Sequence, residues 1–432
     1  MTPAARLSAA MEILADLATR RRPASEALKD WGLSHRFAGS KDRAAIASLV
    51  HDTLRRRASA AWLMGDDAPR SMVLGMLALM RGQDVDAIAA LCDGGRFAPA
   101  PLSDAERERL AKPGILADAP AAVAGDYPDW LDDALAEAFG ADRAAEMQAL
   151  ATRAPVDIRA NTLKIERAAL QDMLVHLAPV ETPHAPYGLR ILPGPDGRGP
   201  ALQSEPEFIK GLFEIQDEGS QLAALASAVA PGEQVVDLCA GGGGKTLAMA
   251  AMMDNRGQIF ATDSDKRRLA PIHDRLARAG IRNVQVRTPR GTEDPLADLA
   301  GSADCVLVDA PCTGTGTWRR NPDAKWRLRP GSLSGRISEQ EKVLDRAAAL
   351  VKPGGRLVYV TCSILPAEND EAIAGLLARD PRFTPVPDAQ WLGDAGMDAL
   401  SEVTRATRFG RQLTPLRTGT DGFFIALLNR NA

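Results

Sequence analysis

The sequence predicts an α/β protein: a doubly wound, mostly parallel sheet in the C-terminal half, preceded by an all-helical part and a small mixed α+β segment. Three observations lead there. From Pro3 to about Leu150 the text is rich in Ala, Leu, Arg and Glu, with apolar residues at helical spacing, as in Leu7, Met11, Leu14, Leu17 and in Ile46, Leu49, Val50, Leu54. After Phe208, short apolar runs alternate with helical stretches. Within that second stretch, DLCAGGGGKT (Asp237 to Thr246) directly follows an apolar run, the order expected of a strand, a ligand loop and a helix start.

Composition bounds the reading. A chain of 432 residues exceeds what one core usually supports, so two or three domains are expected. A formal net charge of -4 excludes a broadly basic nucleic-acid binder, so any such site must be local. The five cysteines (Cys92, Cys239, Cys305, Cys312, Cys362) are an odd number without a Cys-x-x-Cys pair. That argues against a disulfide framework and a structural metal site, and for free thiols in a reducing compartment. The first residues read as an amphipathic helix and not an export signal, and no apolar run nears the roughly 18–20 residues that cross a bilayer. A soluble, cytoplasmic monomer is expected, with no membrane contact.

The elements follow in order. The all-helical part is placed at 1–143, with helix starts at Ser25-Glu26, Ser40-Lys41-Asp42 and Ser103-Asp104. A small mixed subdomain is placed at 144–210, with a strand over Ile158–Lys164, a helix over Arg167–Leu177 and a Pro/Gly-rich joint over Pro183–Pro206. The sheet domain is placed at 211–432. Its strands are expected at Phe213–Ile215, Gln234–Leu238, Gln258–Thr262, Val284–Val286, Cys305–Val308, Arg356–Val360 and Phe423–Leu427, with helices over Leu247–Met253, Arg267–Ala279 and Glu339–Val351.

The glycine run is not a nucleoside-triphosphate loop, because counting back from Gly244-Lys245 puts Cys239 where the first glycine is required. What remains is Cys239, Ala240, Gly241, Gly242, Gly243, Gly244 and Lys245 as a backbone surface that a ligand can approach closely. One strand later Asp263 stands where an acidic residue can take ribose hydroxyls. Together these favour S-adenosyl-L-methionine, which has a ribose and an amino-acid tail but no phosphate. A plain tight turn with a solvated Asp263 is the alternative.

VLVDAPCTGTG puts Asp309, Pro311 and Cys312 after one strand, and LVYVTCS puts Cys362 at the end of another. Strand ends of an open parallel sheet converge on one rim, so Asp237, Asp263, Asp309 and Cys362 should meet there. Cys92 and Cys305 read as apolar filler. These stretches, with Arg159–Lys164 (RANTLK), Gln216–Gln221 (QDEGSQ), Glu368-Asn369 and Asp421–Phe424 (DGFF), resemble the RsmB/NOP (Fmu/Sun) family of RNA cytosine-5 methyltransferases. The resemblance runs from about Arg159 to the end. Ala24–Leu28 and the Asp42–Arg57 helix resemble a NusB-like RNA-binding domain, which points to the bacterial 16S rRNA branch.

The resemblance implies a class I S-adenosylmethionine-dependent methyltransferase. It implies Cys362 as a nucleophile on carbon 6 of cytosine and Cys312 as the residue assisting proton removal and release. Asp309 is the candidate for the ring nitrogen 3 edge, and Lys245 either supports developing charge or packs the loop. The basic and aromatic run Trp318, Arg319, Arg320, Lys325, Trp326 suits RNA contact, as do Arg159, Asn161 and Lys164 within their motif. The expected partner is an unpaired or flipped cytosine in RNA, since a duplex hides carbon 6. The chain departs from the family pattern at Gly241-Gly242, where Ala-Pro is usual, and at Arg290, where an Asp is usual. Those departures keep open an RNA-binding or assembly factor with a decayed methyltransferase fold. A tRNA substrate also stays open.

Overall fold

The computed structural model describes residues 1–112, 116–194, 199–289, 291 and 293–432. The chain forms two compact units, one of Met1–Arg153 with Trp318–Leu328, the other of Ala154–Gly194, Gly199–Thr317 and Arg329–Ala432.

The first unit is helical. Its longer helices are Pro3–Arg20, Ala24–Ser34, Ser40–Arg55 and Pro69–Leu79. Their apolar stripes meet in one core holding Leu7, Ile13, Leu14, Ile46, Val50, Val73 and Leu74. Thr2 caps the first helix, and Ser103 with Glu106 forms a reciprocal capping box on Asp104–Leu110.

The second unit holds two sheets. The smaller has strands β1 (Val156–Ala160), β2 (Val180–Glu181), β3 (Gly188–Ile191) and β4 (Phe213–Ile215), ordered β2-β3-β1-β4 and antiparallel throughout. The larger has β5 (Gln234–Asp237), β6 (Gln258–Ala261), β7 (Val284–Val286), β8 (Ala303–Asp309), β9 (Val351–Thr361), β10 (Phe383–Pro385), β11 (Arg405–Ala406), β12 (Arg411–Leu413) and β13 (Phe423–Arg430). Its order is β11-β12-β13-β9-β8-β5-β6-β7, with β10 added on β13. The five strands from β9 to β7 run parallel, while β13 inserts antiparallel beside β9. Strand order reverses between β5 and β8, the point at which ligands bind in such sheets.

Parallel strands covered on both faces should read as continuous apolar runs, and Val235-Val236 and Val306-Leu307-Val308 do, all fully buried. One face packs on the helices Glu218–Leu225 and Gly244–Met252, the other on Pro330–Leu350 and Asp370–Arg379. Both layers hold the carboxyl ends of β5, β6, β8 and β9 at one rim.

Several expectations change. Phe213–Ile215 joins the small sheet through β1 and not the large one, because Ile158, Arg159 and Ala160 pair with it. A boundary at 210/211 would therefore split that sheet, and one at 143/144 would cut the helix Arg143–Leu150. The strand expected over Ile158–Lys164 ends at Ala160, where Asn161 starts a turn whose carbonyl accepts from Lys164 N and Ile165 N. The helix expected over Arg267–Ala279 breaks into Lys266–Leu269 and Ile272–Ala279, since Pro271 has no N–H to continue it. The joint over Pro183–Pro206 contains β3, and its Pro195, Asp196 and Gly197 lie outside the described residues. Arg290 lies outside them as well. No helix among the described residues is long and apolar enough to cross a membrane, and no cluster there could hold a metal ion.

Candidate active site

The glycine loop is shaped by what surrounds it. Gly241 and Gly243 have φ of +51° and +83°, left-handed values that favour glycine. A Cβ on Gly243 would lie 2.5 Å from Ile272 Cγ1. Gly241 N donates to Asp263 Oδ2 at 3.0 Å, and Asp265 N donates to Asp263 Oδ1 at 2.8 Å, so Asp263 is buried and ties the ends of β5 and β6 together. Arg275 Nη1 donates to Gly242 O at 2.6 Å, while its Nη2 pairs with Glu214 at 3.0 Å. The helix Gly244–Met252 then begins, and Thr246 Oγ1 donates to Asp237 Oδ2 at 2.6 Å.

Asp237 Oδ1 is buried and has no hydrogen-bond partner among the described residues. Burial pushes the Asp237 carboxyl up to about 7, and the nearby Asp309 and Asp263 charges push the same way. Burial also raises the Cys239 thiol, so Cys239 serves the loop through its backbone and packing and not as a nucleophile. These features fit S-adenosyl-L-methionine: open glycine backbone, an orphaned carboxyl oxygen suited to an ammonium group, and a rim of carboxylates that disfavours phosphate.

Beyond β8, Lys245 Nζ meets Asp309 Oδ2 at 2.6 Å and lies 5.4 Å from the Phe423 ring centre. The charge of Lys245 is thus committed to Asp309. Cys312 follows at the end of β8 and Cys362 at the end of β9, and the two sulfurs are 3.4 Å apart. Register explains the meeting, because Asp309 pairs with Val360 and Ala310 N donates to Val360 O. The hydrogen bond to Cys362 and burial hold the Cys312 thiol well above its usual range, so Cys312 keeps its proton at neutral pH. As whole residues, Cys312 and Cys362 are half-buried.

Three further segments fix these loops. Gly316 N donates to Cys362 O at 2.9 Å and Gly422 N to Gly316 O at 2.8 Å. A Cβ on Gly316 would lie 2.0 Å from Gly422 O, which explains why DGFF has a glycine against a second glycine. Asp421 N reaches Asp217 Oδ1 at 3.1 Å, which draws QDEGSQ into the same frame. Glu368 and Asn369, read only as motif text in the sequence, are buried under the cysteine loops. The cue available was an acid and an amide in PAEND ahead of a helix, which reads equally well as a solvated helix start.

The residues expected to touch RNA are largely used elsewhere. Trp318, Arg319 and Lys325 are buried in the helical unit, and the correction has a physical reason. Lys325 Nζ lies 5.9 Å from the Trp318 ring centre and 5.1 Å from that of Trp326, and burial lowers its pKa to about 8. Trp326 Nε1 donates to Leu54 O at 2.7 Å, and Arg55 Nη2 to Arg319 O at 2.8 Å. Only Arg320 of this set is exposed. In RANTLK, Arg159 is buried and donates to Gln216 Oε1 at 2.7 Å. Asn161 Nδ2 donates to Gly211 O and Ala279 O, and Lys164 Nζ to Lys210 O and Arg278 O at 2.6–2.9 Å. These two side chains cap the helix Ile272–Ala279, which carries Ile272 and Arg275 to the glycine loop.

Known proteins resemble this chain in sequence and fold. The family described as 16S rRNA methyltransferase RsmB/F matches residues 224–429, and the ferredoxin-like domain of RsmF/B-like methyltransferases matches residues 127–195. The ribosomal RNA small subunit methyltransferase B of Sodalis glossinidius (strain morsitans) is 34% identical over 335 residues, 77% of this chain and 69% of that one. A probable ribosomal RNA small subunit methyltransferase B of Synechocystis is 32% identical over 307 residues, 70% of this chain and 67% of that one. A solved methyltransferase homolog protein from Pyrococcus horikoshii matches with a TM-score of 0.60 at 28% identity, covering 74% of this chain and 99% of that one. With a class I methyltransferase sheet, a glycine loop at its switch point and relatives of this identity over two thirds of both lengths, the chain belongs to the 16S rRNA methyltransferase RsmB/F family.

Proposed function

We propose that this chain methylates carbon 5 of an unpaired cytosine in 16S rRNA through a covalent bond from Cys362. The observation that carries the reading is the 3.4 Å contact between Cys312 and Cys362 sulfurs at adjacent strand ends, beside the Lys245–Asp309 pair. S-adenosyl-L-methionine supplies an electrophilic methyl group when bound. Gly241 to Gly244, Asp263 and the free oxygen of Asp237 would hold it, with the backbone of Cys239 and Ala240.

Carbon 5 of cytosine is too weak a nucleophile to take that methyl unaided. The Cys362 sulfur, its proton released to solvent, adds to carbon 6, and the negative charge that develops toward the nitrogen 3 edge is opposed by the Lys245 ammonium that Asp309 holds at the rim. Carbon 5 then takes the methyl. Loss of the carbon 5 proton to water returns the electron pair to the ring and expels the Cys362 sulfur from carbon 6, with the Cys312 thiol, 3.4 Å away, donating to the departing sulfur. Two adjacent sulfurs can divide these steps, one bonding to carbon 6 and the other assisting release. The naming of the relatives supports ribosomal RNA as substrate, and the resemblance of Ala24–Leu28 and Asp42–Arg57 to a NusB-like domain supports a role for the helical unit in holding it.

Transfer of labelled methyl from cofactor to 16S rRNA tests the reading. Cys362→Ala is expected to abolish it while S-adenosylhomocysteine still binds in a calorimetric titration. Full turnover by Cys362→Ala would contradict the covalent route, and no heat from the unsubstituted chain at millimolar ligand would favour an RNA-binding factor.

A further inference from the structure

Glu368 is fully buried, yet its carboxylate pairs with no cation among the described residues. Its Oε1 accepts from Thr313 N at 2.7 Å and from Gln340 Nε2 at 3.3 Å. Its Oε2 accepts from the hydroxyls of Thr313 and Ser363. Thr313 follows Cys312 and Ser363 follows Cys362, so one carboxylate grips the residue next to each sulfur. The grip is itself braced. Gln340 Nε2 also donates to Pro311 O at 2.9 Å, Tyr359 OH donates to Glu368 O at 2.8 Å, and Asn369 Nδ2 donates to Ser363 O at 3.0 Å. Thr315 Oγ1 further joins the two loops through Ser363 Oγ at 3.0 Å and Ile364 N at 3.0 Å.

We infer that Glu368 is a positioning residue that sets the spacing of the Cys312 and Cys362 sulfurs. The inference deepens the functional reading above and rests on it for its catalytic consequence. Four donors converge on two oxygens of a fully buried side chain, an arrangement a carboxylate satisfies and an apolar side chain of the same size does not. Burial raises the Glu368 carboxyl, and the hydrogen bonds from Ser363 and Thr313 pull the other way. Glu368 touches neither sulfur in the contacts above, so it acts through Thr313 and Ser363 and not as an acid or base.

Two readouts separate positioning from bulk stability. The first needs no methyl transfer: diamide oxidises the two thiols to a Cys312–Cys362 disulfide, the thiols giving up two protons and two electrons and diamide becoming the hydrazine. Its rate, followed by peptide mass mapping, reports how closely the sulfurs approach. In the full chain, Glu368→Ala is expected to slow this cross-link at least tenfold and to lower kcat about 100-fold, the scale that small misplacements of reacting groups produce, with KM for S-adenosyl-L-methionine nearly constant. Glu368→Gln keeps the network, since the two hydroxyls can reverse and donate elsewhere, and is expected to recover both rates to within about fivefold of the unsubstituted chain. If Glu368→Ala does not fold, Thr313→Val removes one donor alone and is expected to slow the cross-link severalfold. Cross-linking at the unsubstituted rate in Glu368→Ala, or in Thr313→Val where that variant stands in, overturns the inference. Because cross-linking is read without RNA or cofactor, failure of the methyltransferase reading leaves this test of Glu368 intact.

Discussion

At Asp237 the environment of a single carboxyl makes a pH-dependent prediction. Burial raises it from 3.8 to about 7, and the hydrogen bond from Thr246 offsets only part of that. Its folded pKa lies above its unfolded one, so the stability it contributes is complete below about pH 4 and is lost as pH rises through 7. Asp237→Asn still accepts from Thr246 through its amide oxygen. It is expected to melt above the unsubstituted chain at pH 8, with the gap closing as pH falls toward 4, and to bind S-adenosylhomocysteine at least about tenfold more weakly through loss of a charged acceptor. A melting difference that does not change with pH would contradict the burial argument. At this scale the sequence was legible where chemistry is local: Asp263, Asp309, Cys312 and Cys362 follow their strands as their text implies. That both sulfurs face one basin was legible as well, but their 3.4 Å contact was not, because it depends on the register of β8 against β9, which no run of either strand specifies alone.

The helix Ile272–Ala279 shows how an element connects motif text to the site. Its C-terminal carbonyls are satisfied by Asn161 and Lys164, its N-terminal end places Ile272 against Gly243, and Arg275 holds Gly242 O. RANTLK therefore serves the cofactor loop from behind. Asn161→Ala leaves Gly211 O and Ala279 O without their donor, at a cost on the order of 2 kcal/mol. Thermal melting should fall and S-adenosylhomocysteine affinity should drop in calorimetry, with RNA affinity little changed in a filter-binding assay. The opposite pattern, RNA affinity lost and ligand affinity kept, would return Asn161 to the RNA surface. The alternation of strands and helices was readable from apolar runs, whereas the membership of β4 was not, since Phe213–Ile215 has the same character as a central strand and only its partner decides.

Across the whole molecule, charge and aromatic content misled where position seemed to inform. Trp318 to Trp326 lies just after Cys312 in the chain, yet it belongs to the helical unit, where Lys325 is spent between two indoles and Arg319 is buried. Long cationic side chains bury their stems readily, so a basic stretch near a cysteine does not by itself identify a nucleic-acid surface. The glycine loop, the acid at the next strand end and the paired Pro-Cys and Thr-Cys stretches carried the functional argument instead, and they lie in one unit at one rim. That rim makes a claim about which sulfur bonds to RNA and which releases it. The most direct measurement incubates the full-length Cys312→Ala chain with 16S rRNA and S-adenosyl-L-methionine and maps any covalent product by mass spectrometry after nuclease digestion. A stable adduct on the peptide containing Cys362 is expected, and an adduct on any other residue, or free turnover with no adduct, would contradict these roles.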